Sequence, residues 1–249
     1  MRIQFLPAIS LAISLLVTVP AVASYEDGLR AYKADQVSAA RELWEQAAEA
    51  GDKRAQFELG RLYERGKGRI LRRDFASAIK WYNAAAEQAY PEAFYALGSM
   101  SENGDGMRQD YLQALRYYNL AVRHAGLPKA YFAVGQMYFH GRGVPQDYLK
   151  AIESYISAAR GGYAPAQYVY GALLEQGWGV KQDLISSYIW YGLAAREDPK
   201  ILEAVSMNFD ARAALETVRR KLNNHDLRKA EEQLRAIIKD QKKSQNPPE

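Results

Sequence analysis

The 249-residue chain contains no cysteine. This excludes disulfide support, thiol catalysis and every thiolate metal site, so the fold must be held by packing alone. Histidine is scarce. His124, His140 and His225 stand far apart, with no H-x-x-x-H or H-E-x-x-H spacing, so no metal site is expected. There is no G-x-x-x-x-G-K-[ST] phosphate loop and no nucleophile elbow, and no cofactor is implied. Charge excess is small: 33 basic against 29 acidic residues, formally +4. That is too little to argue for a nucleic-acid partner. Beyond residue 19 no apolar run is long enough to span a bilayer.

The single long apolar run lies at the start. Met1-Arg2 is followed by Ile3 to Val19 and by Ala21-Val22-Ala23, a small-x-small cleavage pattern. The expectation is a secretory signal peptide over residues 1–23, cleaved after Ala23, and a periplasmic or secreted mature chain that is not membrane-embedded. The alternative is a membrane anchor. With no cysteine at the cleavage point, a lipoprotein is excluded. Cleavage removes one charge, Arg2, and leaves the balance slightly basic.

Repetition dominates what remains. In residues 130–159, Ala130, Phe132, Val134, Gly135, Met137 and Tyr138 share one side of a helix. Gly141-Arg142-Gly143 breaks it, Asp147 serves as an N-cap, and Ala151, Tyr155, Ala158 and Ala159 mark a second apolar stripe. The same features return roughly every 36–39 residues. The aspartates are Asp35, Asp74, Asp110, Asp147 and Asp183, and the helix glycines are Gly60, Gly98, Gly135 and Gly171. Turn glycines pair as Gly66/Gly68, Gly104/Gly106, Gly141/Gly143 and Gly177/Gly179. Aromatics follow each later aspartate at Trp81-Tyr82, Tyr117-Tyr118, Tyr155 and Trp190-Tyr191. Such a period specifies a helical solenoid. First helices are predicted near 52–64, 91–103, 128–140 and 164–176, and second helices near 74–89, 110–125, 147–160 and 183–196.

These residues resemble the Sel1-like repeat, a relative of the tetratricopeptide repeat. The resemblance covers roughly residues 25–196. It implies an all-α, right-handed superhelical solenoid of antiparallel helix pairs that makes protein–protein contacts, and in exported bacterial members an adaptor or regulator role. The organisation expected is a capping helix pair at 24–51, four repeats at 52–196, capping helices at 197–241 and a disordered tail at 242–249. The C-terminal helices are read as a cap, or as helices offered to a partner.

Within each first helix, the variable positions fall on one face. The resemblance places that face on the inner curve, giving a partner-binding groove of Glu58, Arg61, Arg65, Ser99, Asn103, Gln136, His140, Ala172 and Gln176. A basic run, Arg65, Lys67, Arg69, Arg72 and Arg73, is either a dock for an acidic partner or a solvated loop. Trp178 replaces the charged residues Lys67, Asp105 and Arg142 of the other turns, and is either an exposed contact or folds back on Tyr188. The functional expectation is a non-catalytic adaptor or regulator for an envelope, sensor or host protein. The alternative is a cell-wall glycan binder or hydrolase using Glu64, Glu102 and Glu175, which hold one repeat position where the third copy has Phe139.

Overall fold

The computed structural model describes residues 23–245. The signal-peptide segment, apart from Ala23, and the last four residues lie outside the described residues. Five helix pairs follow one another: α1 Tyr25–Lys33 with α2 Val37–Glu49, α3 Lys53–Arg65 with α4 Phe75–Glu87, α5 Pro91–Asn103 with α6 Tyr111–Ala125, α7 Pro128–His140 with α8 Tyr148–Arg160, and α9 Ala164–Gln176 with α10 Leu184–Ala194. A short α11, Pro199–Glu203, leads to α12, Ala211–Lys221, and α13, Asn224–Gln245. Among the described residues there is no strand, and no helix is long and apolar enough to cross a membrane. Each pair packs on itself, and successive units are joined by the second helix of one against the first helix of the next. The result is an all-α solenoid whose core is a row of separate clusters.

Glycine sets the approach within each pair. A Cβ added at Gly60, Gly98 or Gly135 would lie 2.5–2.6 Å from ring atoms of Tyr82, Tyr118 or Tyr155, so the ring occupies the space a side chain would take. The opening pair follows the same rule: a Cβ on Gly28 would lie 2.3 Å from Trp44. The opening pair is thus a complete unit with an abbreviated turn. Asp35 sits in that turn at φ 59° and does not cap α2, whose N-cap is Gln36 without a side-chain bond. Asp35 ion-pairs with Lys67 of the next turn at 3.0 Å instead.

The other four aspartates do cap. Asp74, Asp110, Asp147 and Asp183 accept from the amides of Ser77, Gln113, Lys150 and Ser186 at 2.9–3.1 Å. Bonds from the Ser77 hydroxyl and amide hold the Asp74 carboxyl below its usual range. Those from the Lys150 amide and ammonium do the same for Asp147. A lowered folded-state pKa contributes stability fully present above the unfolded value of about 3.9, and lost as pH falls through the folded value. The melting temperature is therefore expected to fall on acidification below about pH 4. In Asp74→Asn/Asp147→Asn, which keeps a capping acceptor, that acid-side fall should be shallower. A thermal melt series from pH 5 to pH 2 checks it, and parallel curves would place the acid sensitivity elsewhere.

The far end is closed by the terminal helices. Val218 on α12 and Ala230 on α13 are buried beside Tyr188 and Tyr191 of α10, with Leu227 and Leu234 packed on the same cluster. Asn223 caps α13 by accepting from the amides of His225 and Asp226 at 3.0 and 2.9 Å. The apolar stripe of α13 is thus spent on α10. Helix α13 also runs to Gln245, so residues 242–245, expected as tail, are helical. The amphipathic spacing stops at Ile238, but a solvated helix needs no apolar stripe to continue.

Candidate functional site

The repeated glutamate is an internal fixture. Glu64, Glu102 and Glu175 accept from the hydroxyls of Tyr82, Tyr118 and Tyr191 at 2.5, 2.8 and 2.9 Å. Burial, with a carboxylate at the hydroxyl, pushes all three tyrosines up. The acids on which a glycan-cleaving site would depend are therefore engaged in holding the helix pairs together. Among the described residues no group of histidine and carboxylate ligands could hold a metal ion.

Two of these glutamates also reach forward. Glu102 pairs with Arg142, in the turn of the next unit, at 3.0 Å. Glu175 pairs with Lys221 of the cap at 2.7 Å. Between these two steps lies one built differently. Phe139 stands at the glutamate position of the fourth unit, and Trp178 stands at the turn position of the fifth. The place of a carboxylate–guanidinium pair is taken by two aromatics. They do not close on each other; both line a cavity of about 770 Å³.

This cavity is the candidate site. Its floor is Phe132 and Tyr155, whose rings lie 5.3 Å apart. Its rim holds Phe139 on Tyr148 at 5.3 Å, with Leu149 beside them. Ala172 supplies a small wall on α9, and Phe209, stacked on Tyr168 at 4.5 Å, closes the C-terminal side. Polar groups are few: Gln136, His140 and Gln176. Trp178 is 69% exposed and does not fold back on the body. Gly179 packs against Ile152, where an added Cβ would lie 2.2 Å from Cδ1, which fixes the turn carrying Trp178. A wall of aromatics with a few convergent polar groups suits a bulky apolar side chain.

The variable positions read from sequence share one face of each first helix. Arg61 and Arg65 on α3 are felt electrostatically by Lys129 on α7, two units away. Tyr163, at the start of α9, similarly bears on Tyr95 of α5. Burial, then Arg61 and Arg65, push the Lys129 ammonium below its usual range, against the pull of Glu92. Lys129 also lies over the Tyr95 ring at 4.3 Å. Arg61 is paired with Glu58 at 3.0 Å, while Arg65 and Lys129 enter no ion pair among the described residues.

All nine groove positions read from sequence are half-buried or exposed, and none is fully buried. Gln136, His140, Ala172 and Gln176 converge on the cavity with Trp178. Glu58, Arg61 and Arg65 lie at the other end of the groove, and Ser99 and Asn103 on α5 between. In the basic turn, Lys67 is tied to Asp35 and Arg73 lies over Phe75 at 5.4 Å, while Arg69 and Arg72 stand exposed. Sequence reasoning missed Tyr148, Leu149 and Phe209 as site residues. Tyr148-Leu149 was masked by its likeness to Tyr111-Leu112 in the preceding unit. Phe209 lies outside the repeats, and its only signal is an aromatic directly before the cap residue Asp210.

Comparison with known proteins agrees with this geometry. The Sel1 repeat profile matches residues 21–52, 53–90, 91–125, 128–163 and 164–199. The crystal structure of a Sel1 repeat protein from Oxalobacter formigenes superposes with a TM-score of 0.65 at 28% identity, over 89% of this chain and 91% of that one. A protective antigen of uropathogenic Escherichia coli with an SLR fold superposes at TM-score 0.50 and 22% identity, over 86% of this chain and 52% of that one, and so shares the fold. An Arabidopsis thaliana protein, ERAD-associated E3 ubiquitin-protein ligase component HRD3B, is 37% identical over 84 residues, 34% of this chain and 14% of its own length. Chitin synthase regulator SKT5 of Malassezia restricta is 38% identical over 78 residues, 31% of this chain and 5% of its own. The chain thus spans only a small part of these curated relatives. With five matched units laid out in register along the solenoid, the chain belongs to the Sel1 repeat family.

Proposed function

We propose that this protein is an exported, non-catalytic adaptor or regulator that binds a protein partner in the concave groove of its solenoid. The observation that carries the reading is the step between the fourth and fifth units, where Phe139 and Trp178 replace a charge pair and leave an open apolar cavity. A largely exposed tryptophan on a glycine-bounded turn is costly to leave in water and gains when a partner covers it. Relatives sharing a stretch of these repeats are named a ligase component and a synthase regulator, roles defined by another protein. The apolar run Ile3 to Val19 followed by Ala21-Val22-Ala23 supports export, with a mature chain in the periplasm or outside the cell.

The test is crosslinking in cells, with a photoreactive residue at Gln136 or Gln176 and mass spectrometry of the adducts. One dominant protein partner is expected, and it should be lost in Arg61→Ala/Gln136→Ala/Gln176→Ala with the helical content intact. Capture that survives the triple change would overturn the groove assignment, and capture of cell-wall fragments alone would overturn the adaptor reading. N-terminal sequencing of the exported protein should begin at Ser24; a start at Met1 would overturn the leader assignment.

A further inference from the structure

The groove is not uniform along its length. At the α3 end, Arg65 is exposed and enters no ion pair among the described residues, and Arg61 adds a guanidinium shared with Glu58. Of the carboxylates near these guanidinium groups, Glu58 is used by Arg61 and Glu64 by the Tyr82 hydroxyl. Next to Arg65 the turn exposes Arg69 and Arg72. At the α7–α9 end the surface turns apolar and aromatic. Arg65, Asn103, His140 and Gln176 hold one repeat position, so both ends lie at the same level of the groove, on its turn-side edge.

Resting on the adaptor reading above, we propose that the groove takes an extended partner segment with a run of carboxylates at one end and one bulky apolar anchor at the other. The carboxylates meet Arg65 and the basic turn, and the anchor enters the cavity under Trp178 and Phe139. The spacing follows from the repeat. Packed helices lie on the order of 10 Å apart, so two to three units separate the cationic end from the cavity by roughly 20–30 Å. An extended chain rises about 3.3 Å per residue, which puts the anchor about six to nine residues from the acids. Placing acids at the anchor end would set them against aromatic walls. Placing the anchor at the basic end would leave Arg65, Arg69 and Arg72 uncompensated and the cavity empty.

Synthetic peptides test this directly. The probe is four glutamates, a Gly-Ser spacer of seven residues and a phenylalanine, made in both chain directions. Two control peptides replace the glutamates by lysines or the phenylalanine by alanine. Binding is read from the emission of Trp178, the most exposed tryptophan of the four, with Trp178→Phe as the blank. The expected result is that one direction of the probe binds. Loss of the phenylalanine should weaken it about 30-fold, as for a central anchor. Arg65→Gln/Arg69→Gln/Arg72→Gln should weaken it at least about 10-fold and flatten its salt dependence. Equal binding of the lysine peptide, or of the alanine peptide, overturns the proposal. So does a Trp178 response to murein glycan strands with none to either probe. If no probe binds while crosslinking still captures a protein, the partner chemistry proposed here fails and the adaptor reading stands. If crosslinking captures no protein, the adaptor reading itself fails.

Discussion

Tyr118→Ala should cost about 3–5 kcal/mol, with Trp44→Ala and Tyr82→Ala the other core truncations of that size. Tyr118 is 2% exposed, lies against Gly98, and donates to Glu102, which in turn holds Arg142 of the next unit. Truncation removes the ring from a site that glycine cannot refill, and frees a half-buried carboxylate from one of its two partners. Urea denaturation followed by circular dichroism measures the loss. A companion substitution reverses sign with context. In the native background, Gly98→Ala drives a Cβ to 2.6 Å from the ring and is destabilising. In the Tyr118→Ala background the ring is gone, and the same change should stabilise by about 0.8–1 kcal/mol through helix propensity. If Gly98→Ala acts with the same sign in both backgrounds, the glycine is not there for the ring.

Phe139→Glu/Trp178→Arg has the largest effect expected on binding. It rebuilds at the fourth step the carboxylate–guanidinium pair that Glu102 and Arg142 make at the third. The new Glu would also face the Tyr155 hydroxyl, as Glu102 faces that of Tyr118. Stability should hold within about 1 kcal/mol, since exposed pairs are worth little and the tyrosine gains an acceptor. Partner capture should drop by about two orders of magnitude, because both aromatic anchors are removed and the cavity mouth becomes charged. Isothermal titration with the captured partner decides it. Retained affinity would mean that the cavity is not the contact.

Much of this was legible from spacing alone. The first helices at 91–103, 128–140 and 164–176 match α5, α7 and α9 end for end, because proline at the start and glycine at the stop leave little freedom. The opening pair was harder. Its helix glycine, Gly28, and its aromatic, Trp44, obey the repeat, but the short turn lacks the G-x-G signal and Asp35 imitates a cap that it does not make. The cavity was legible only in pieces. Phe139 and Trp178 each stand out as departures from the repeat, yet they lie 39 residues apart and on different units. That the two departures face one gap is a property of the stacking, which no local pattern encodes. The structural use of Glu64, Glu102 and Glu175 was hidden for the same reason: their tyrosine partners lie on the second helix of each pair.

The exchange at Phe139 has a mechanical side as well. Along a linear array each joint bears its own load, and this joint has neither the tyrosine–carboxylate bond nor the charge pair found at the one before it. Its angle is fixed by packing instead, with the Phe132 ring 5.3 Å from those of both Tyr155 and Tyr163. A side chain seated in the gap would act as a splint. Recognition would then stiffen the coil from Phe132 to Phe209, so that the length and pitch of the whole rod report whether the groove is filled.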